Sequence, residues 1–127
     1  MMNVVLWVSQ GLLAALFLVA GLTKTVQTMA ELSEKMLWVA TTPEWVVRLA
    51  GVSEVLGALG VMLPAVMRIR PALSPLAAAC LALVMALAMV FHIARGELYA
   101  LPINLVLMAL ALFVAYGRQK LAPISPK

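Results

Sequence analysis

Five polar side chains that could carry out chemistry lie within or at the ends of long apolar segments: Lys24, Arg48, Glu54, His92 and Asn104. A charged group in hydrocarbon must be paired, neutralised or in contact with water, and such groups usually mark a functional site. Glutamate and histidine accept and release protons, lysine and arginine supply positive charge, and asparagine forms hydrogen bonds. These residue types predict proton exchange with, or hydrogen bonding to, the polar part of a bound molecule.

The apolar segments that must position these residues indicate a membrane protein. The chain has 127 residues, of which 65% are hydrophobic and 11% charged, which leaves too little polar surface for a water-soluble globule. Four segments each approach or exceed the ~20 residues that a helix needs to cross a bilayer, at roughly residues 4–24, 44–67, 72–94 and 98–117. We predict an all-α fold, a single membrane domain over residues 1–127 formed by an antiparallel bundle of four transmembrane helices.

The only long connection joins the first two transmembrane segments. Apolar residues recur there at helical spacing, at Met29, Leu32, Met36 and Val39. This predicts a short amphipathic helix on the outer surface, with Trp38 and Trp45 at the level of the lipid head groups.

The sequence also carries a start signal for the second transmembrane helix. Thr42 is a good N-cap, Pro43 suits the first helical position, and Glu44 complements the positive end of the helix dipole. The helix is therefore expected to enter the membrane near Trp45.

Folding the chain back and forth brings the five polar residues to one end of the bundle. At ~1.5 Å per residue, Glu54 lies roughly 13 Å inside the second helix and Asn104 roughly 9 Å inside the fourth. Lys24, Arg48 and His92 lie within about one turn of the same end of their helices. We predict one polar cluster in the outer half of the bundle.

Helix faces predict what lies around this cluster. Along the first helix one face carries Gln10, Ala14, Phe17, Gly21 and Lys24, and Gln10 alone lies apart, toward the inner half. The second helix groups small residues that permit close helix packing: Ala50, Ser53, Gly57 and Gly60.

Methionines lie below the predicted cluster. Met85 and Met89 share a face with His92, and Met108 shares one with Asn104. Such an interior suits a flat lipophilic molecule with a polar head, which makes the three methionines candidate ligand-binding residues beside the five polar ones. Methionine at helical spacing is also ordinary core filling, and we expect no metal site.

Each polar residue also has a structural interpretation. Glu54 could pair with Arg48 or Lys24, and those long basic chains could instead reach the membrane surface. His92 could bond a loop carbonyl, and Asn104 could join two helices.

Basic residues predict the orientation. The side that holds both termini carries five, none accompanied by an acid: Arg68, Arg70, Arg118, Lys120 and Lys127. The opposite side carries four, together with every acid in the chain. The positive-inside rule then places both termini in the cytoplasm, and we predict that the protein resides in the cell inner membrane. The net charge of +4 fits this topology and contact with anionic lipid, and no basic cluster suggests a nucleic-acid partner.

Several chemistries lack the residues they need. A single cysteine, Cys80, excludes a dithiol pair, and a single histidine excludes bis-histidine haem within one chain. There is no aspartate, no glycine-rich phosphate loop and no hydrolase triad.

The motifs together resemble those of a known family. They run in order along the chain as Gly21-Leu-Thr-Lys24, then Arg48, then Gly51, Glu54, Gly57, Gly60 and Pro64, then His92, Gly96 and Glu97, and finally Asn104. This pattern resembles the DoxX-like family of small four-helix membrane proteins over essentially the whole chain, although nothing distinctive matches before Gly11 or after Gly117. The resemblance implies roles in quinone-linked sulfur oxidation, oxidative-stress complexes or receptor assembly, and adds weight to the five polar positions.

The sequence favours a protein that binds a small lipophilic, quinone-like molecule and has a redox or stress-linked role. It does not establish a cofactor, and the candidate is a quinone. One alternative is a membrane-embedded acid/base enzyme that isomerises or opens a lipophilic substrate, with Glu54 and His92 as catalytic residues. A second alternative is an accessory or assembly subunit that contacts a partner membrane protein or another copy of itself. A small proton-coupled exporter is less favoured, because basic residues flank Glu54.

Overall fold

The computed structural model describes all 127 residues, and every regular element is helical. The α-helices are α1 (Met2–Val26), α2 (Met29–Lys35), α3 (Glu44–Met67), α4 (Leu73–Ala94) and α5 (Leu101–Tyr116). Short 3₁₀ turns span Leu37–Thr41 and Leu98–Ala100, and a π-helical turn, Gly117–Leu121, extends α5. Four helical segments are long and apolar enough to cross a membrane, which confirms the predicted all-α four-helix membrane fold.

The four long helices pack as sequential neighbours. α1 packs along α3, α3 along α4 and α4 along α5, and α5 closes the bundle against α1. Large apolar side chains fill the centre, including Leu13, Phe17, Val61, Leu81 and Val114. Many others are exposed on the outside, as expected for a surface that faces lipid.

Glycines bring α1 and α3 into close contact. A Cβ atom on Gly21 would lie 2.7 Å from the carbonyl oxygen of Gly51, and one on Gly51 would lie 2.9 Å from the carbonyl oxygen of Gly21. Since no larger residue fits, these two glycines set the distance between the helices. On the other side of α3, Gly57 and Gly60 face α4, where a Cβ on Gly60 would meet Ala77.

The segment between α1 and α3 covers one end of the bundle, here called the outer end. Leu32 of α2 and Val39 of the following turn are buried against Val47 at the start of α3. The Thr28 hydroxyl accepts a hydrogen bond from the backbone N–H of Glu31 and so caps α2. The predicted amphipathic helix is therefore present.

The predicted cap of the second transmembrane helix was wrong. The first residue of α3 is Glu44, Pro43 occupies the N-cap position, and no side chain caps the helix. The Thr42 hydroxyl instead donates to the carbonyl of Trp38 at 2.6 Å and accepts from Arg95 at 2.9 Å. Thr42 thus holds the covering segment in place.

The opposite end, here called the inner end, holds both termini and the turn between α3 and α4. The backbone N–H of Lys127 donates to the carbonyl of Arg68, and the Arg68 side chain donates to the carbonyl of Ser125, both at 2.9 Å. Arg68 and Arg70 adopt left-handed backbone conformations in this turn, with φ of 55° and 48°. The final residues are thereby fixed across the turn.

Candidate functional site

The outer half of the bundle contains a buried ion pair between α1 and α3. Nζ of Lys24 lies 2.6 Å from Oε1 of Glu54, and the two side chains are 13% and 2% exposed. Lys24 reaches this depth because Gly21, one turn earlier, lets α1 approach α3 closely. The second carboxylate oxygen of Glu54, Oε2, is buried and has no hydrogen-bond partner.

Arg48 is not the partner of Glu54. Its Nη1 donates to the carbonyl of Lys24 at 2.8 Å and to that of Gln27 at 2.5 Å, and its Nη2 pairs with Glu44 at 3.1 Å. Helix carbonyls at a C-terminus lack partners within the helix, so Arg48 satisfies the end of α1. Of the two predicted partners for Glu54, Lys24 forms the pair and Arg48 stabilises the helix end beside it.

A second group of charged side chains lies at the C-terminal end of α4. Nδ1 of His92 lies 2.9 Å from Oε1 of Glu97, and Nη2 of Arg95 lies 3.2 Å from Oε2 of the same carboxylate. The backbone explains the arrangement: Gly96 has φ of +71°, its N–H donates to the carbonyl of Ile93, and the N–H of Glu97 donates to that of His92. This is a Schellman C-cap, which turns Glu97 back over the helix end.

Trp38 lies between the two charged groups. Its ring centroid is 5.4 Å from that of His92, in edge-to-face geometry, and 6.0 Å from Nζ of Lys24. Arg95 holds the turn that carries Trp38 by donating to the Thr41 and Thr42 hydroxyls and to the Trp38 carbonyl. Trp38 therefore covers the polar cluster, whereas Trp45 is 69% exposed on the surface.

Asn104 is the contribution of α5. It is 9% exposed, near the outer end of the helix, and its Nδ2 has no hydrogen-bond partner. The predicted role of an amide that joins two helices is therefore not seen. All four long helices place a predicted polar residue in the outer half of the bundle.

The methionines occupy different environments. Met85 is 3% exposed and belongs to the central apolar core, while Met89 and Met108 are half-buried. Met108 packs against that core. Met85 thus serves as core filling, the alternative that helical spacing allowed.

Sequence reasoning missed Trp38, Arg95 and Glu97 as members of the outer cluster. Glu97 entered only as a neighbour in a family motif, yet glycine one residue before it is the usual signal for a C-cap that folds the next residue back. No comparable signal marks Trp38, because its place depends on how the covering segment packs.

A second buried polar group, at the inner end, was also missed: Gln10 lies apart from the outer cluster, as predicted, but it is bonded to Arg118. Nε of Arg118 donates to Oε1 of Gln10, and its Nη1 donates to Asn3 at 2.7 Å and to the carbonyl of Ala122 at 2.8 Å. The Arg118 guanidinium also lies 4.9 Å from the centroid of the Trp7 ring. The π-helical turn directs Arg118 into the bundle, where it is 3% exposed.

Fold and polar cluster together define a four-helix membrane protein with a cluster of ionisable residues in the outer half of the bundle and one buried arginine at the inner end. The model of the DoxX-like family matches residues 8–114, so the chain belongs to the DoxX-like family. A comparison with curated proteins and one with solved structures each gave no match.

Proposed function

We propose that this DoxX-like protein binds the polar head of a small lipophilic, quinone-like molecule at the outer cluster. The proposal places the protein in the cell inner membrane with both termini in the cytoplasm, so that the cluster lies in the half of the bundle within the outer leaflet. The single observation that carries it is the pair of unsatisfied buried atoms, Oε2 of Glu54 and Nδ2 of Asn104.

Unsatisfied polar atoms in an apolar interior are costly. Each buried donor or acceptor that lacks a partner costs about 1–3 kcal/mol, and such groups are rare in native structures. In the outer cluster one of them is an acceptor on α3 and the other a donor on α5. A molecule bound to both atoms must therefore offer a hydroxyl hydrogen to Glu54 and an oxygen acceptor to Asn104.

This requirement distinguishes between the redox states of a quinone. A quinone offers only carbonyl acceptors, whereas a quinol offers hydroxyl hydrogens and hydroxyl oxygens. Glu54 in its ionised form, paired with Lys24, accepts hydrogen bonds and donates none. The quinol is therefore expected to bind more tightly than the quinone.

The contact between His92 and Glu97 supports a second candidate function, proton exchange with a bound molecule. Glu97 engages Nδ1, so Nε2 is the ring nitrogen able to exchange a proton with a bound molecule. A carboxylate that orients a histidine in this way is typical of acid/base sites. Turnover of a lipophilic substrate would then use Glu54 and His92 as the exchanging groups.

The test is a thermal-shift titration of the purified protein with ubiquinol-1 and with ubiquinone-1. A ligand that binds only the folded state stabilises it by RT ln(1 + [L]/Kd), about 2.7 kcal/mol at a hundredfold excess over Kd. The melting temperature should rise more with the quinol than with the quinone.

Three variants make the test specific. Nδ2 of Asn104 makes no hydrogen bond within the protein, so the Asn104→Leu variant should still fold. It lacks the amide that would bind the ligand and should therefore lose the rise in melting temperature. Glu54→Gln should lose it as well, whereas Glu44→Gln, the same change at a carboxylate that is 62% exposed, should retain it. Equal shifts in all three variants, or no shift with either compound, would reject the outer cluster as the binding site.

A further inference from the structure

Arg118 is a buried cation without an anionic partner. Its hydrogen bonds go to Gln10, Asn3 and the carbonyl of Ala122, all neutral, and its Nη2 is buried with no partner. Burying a charge is unfavourable unless it is paired with an opposite charge. Every acidic side chain of the chain lies toward the outer end, so no glutamate can supply this pairing.

A large pocket adjoins Arg118 at the inner end. Its volume is about 940 Å³, and its polar wall is formed by Arg118, Arg70 and Gln119. Its apolar wall includes Leu73, Leu76 and Ala79 of α4. We call this the inner pocket. It is separate from the outer cluster, so nothing about it depends on the proposed function.

The two walls together fit one kind of occupant. Leu73 and Leu76 are 44% and 58% exposed on a membrane-spanning helix, so this wall continues into the lipid-facing surface. The two arginines of the polar wall lie at the end of this apolar wall. Arginine commonly recognises phosphate, because a guanidinium forms paired hydrogen bonds with phosphate oxygens. The pocket is thus charged at the membrane surface and apolar below it.

We propose that the inner pocket binds an anionic phospholipid, with the phosphate on Arg118 and Arg70 and an acyl chain along Leu73 and Leu76. The phosphate would give Nη2 of Arg118 its missing acceptor and its missing counter-charge. Arg118 and Gln119 lie in the π-helical turn after α5 and Arg70 lies in the turn between α3 and α4, so a bound lipid would also tie the end of α5 to the turn before α4. Arg118 and Gln119 lie outside residues 8–114, which the family model matches.

The experiment is native mass spectrometry of the delipidated full chain titrated with dioleoyl phosphatidylglycerol and with dioleoyl phosphatidylcholine. Both lipids have the same acyl chains, so a difference reports on the head group. Both head groups carry the phosphate, but the choline ammonium of phosphatidylcholine places a like charge near the two arginines. We therefore expect the anionic lipid to bind about tenfold more tightly. Equal affinity for the two lipids would overturn the proposal.

Variants locate the site. Arg118→Gln and Arg70→Gln should each weaken phosphatidylglycerol binding severalfold, and Arg70→Gln tests the pocket without disturbing the Arg118 hydrogen bonds. Lys120→Gln removes the same charge from an exposed position at the same end that does not line the pocket. It should leave the affinity unchanged, and a loss equal to that of Arg70→Gln would indicate general electrostatic attraction and contradict the proposal.

A competition experiment distinguishes binding of a phospholipid from binding of a free anion. Inorganic phosphate at millimolar concentration should not displace phosphatidylglycerol, because it cannot use the apolar wall. Displacement of the lipid by phosphate, with comparable affinity, would show a site for small anions and would overturn the assignment to a phospholipid.

Discussion

Lys24 and Glu54 connect α1 to α3 at a depth where water does not solvate the carboxylate. Glu54 is 2% exposed, and its charge is balanced by a single ammonium group at 2.6 Å. Removing one member of a buried pair leaves the other charge uncompensated, which is more costly than removing both. The pair is therefore expected to show strong energetic coupling.

A double-mutant cycle tests this coupling. Lys24→Gln and Glu54→Gln should each destabilise the protein, and the double variant should recover part of the loss, with a coupling energy of about 1–3 kcal/mol. Reversible unfolding in mixed micelles measures the free energies. The comparison is a second cycle with Arg48→Gln and Glu54→Gln. Its coupling energy should be clearly smaller than that of the first cycle, because these two side chains are not bonded to each other and only share Lys24 as a neighbour. Coupling in that second cycle, and none in the first, would contradict the observed pairing.

At the scale of the helices, the crossing of α1 and α3 depends on two glycines. The atoms that a Cβ on Gly21 would meet include the carbonyl oxygen of Gly51 and the backbone nitrogen of Val55, at 2.7 and 2.8 Å. Backbone atoms cannot move aside as a flexible side chain can. A methyl group at this position must push the helices apart.

Gly21→Ala should therefore lower the free energy of unfolding by about 1–3 kcal/mol, the usual cost of overpacking. The chain provides a matched control on the same helix: a Cβ on Gly11 meets nothing within 4 Å. Gly11→Ala should be neutral or stabilising by up to about 1 kcal/mol, because alanine favours a helix more than glycine does. Equal effects of the two changes would show that helix propensity, rather than close packing, governs both sites.

The covering segment is held to the bundle by a small apolar group of its own. Leu32, Val39 and Val47 form a cluster separate from the central core. Few apolar contacts attach this segment, so it is expected to open locally without unfolding of the four long helices.

Leu32→Ala should increase amide hydrogen exchange in α2 and the following turn at least tenfold, because removing a buried leucine side chain costs about 2–5 kcal/mol. Exchange in α3 and α4 should stay nearly unchanged. Leu37→Ala is the control, since Leu37 is 70% exposed. Faster exchange throughout the bundle in Leu32→Ala would mean that the segment does not open as a separate unit.

At the scale of the whole molecule, the two ends differ in how their basic residues are used. Three of the four basic residues at the outer end, Lys24, Arg48 and Arg95, are each in an ion pair with a glutamate, and Lys35 donates to Gln27. None of the five basic residues at the inner end has such a partner, because no acid lies there. Unpaired basic residues resist translocation, so this difference favours the inner end as the cytoplasmic one.

Cysteine labelling tests the orientation. In a Cys80→Ala background, Ser125→Cys should react with a membrane-impermeant maleimide only after the cells are broken. Ala40→Cys, in the covering segment, should react in intact spheroplasts. Both positions are exposed, so accessibility of the side chain does not limit the reaction. The reverse pattern would place the outer cluster on the cytoplasmic side and reject the proposed topology.

The sequence by itself determined the class of fold and the depth of its polar residues. Hydrophobic length fixes the number of helices, and short connections make neighbours antiparallel, so Glu54, His92 and Asn104 had to lie toward one end. The covering helix was also predictable, since its apolar period is visible in the sequence.

Only the tertiary structure decided which polar residues meet. Both Lys24 and Arg48 lie near enough in depth to pair with Glu54, and the choice follows from the close crossing at Gly21 and from the helix carbonyls that bind Arg48. The contact between Gln10 and Arg118 joins residues 108 positions apart, through a π-helical turn without a sequence signal. Periodicity fixes the depth and face of a residue within its own helix, but contacts between side chains depend on how the helices pack against one another.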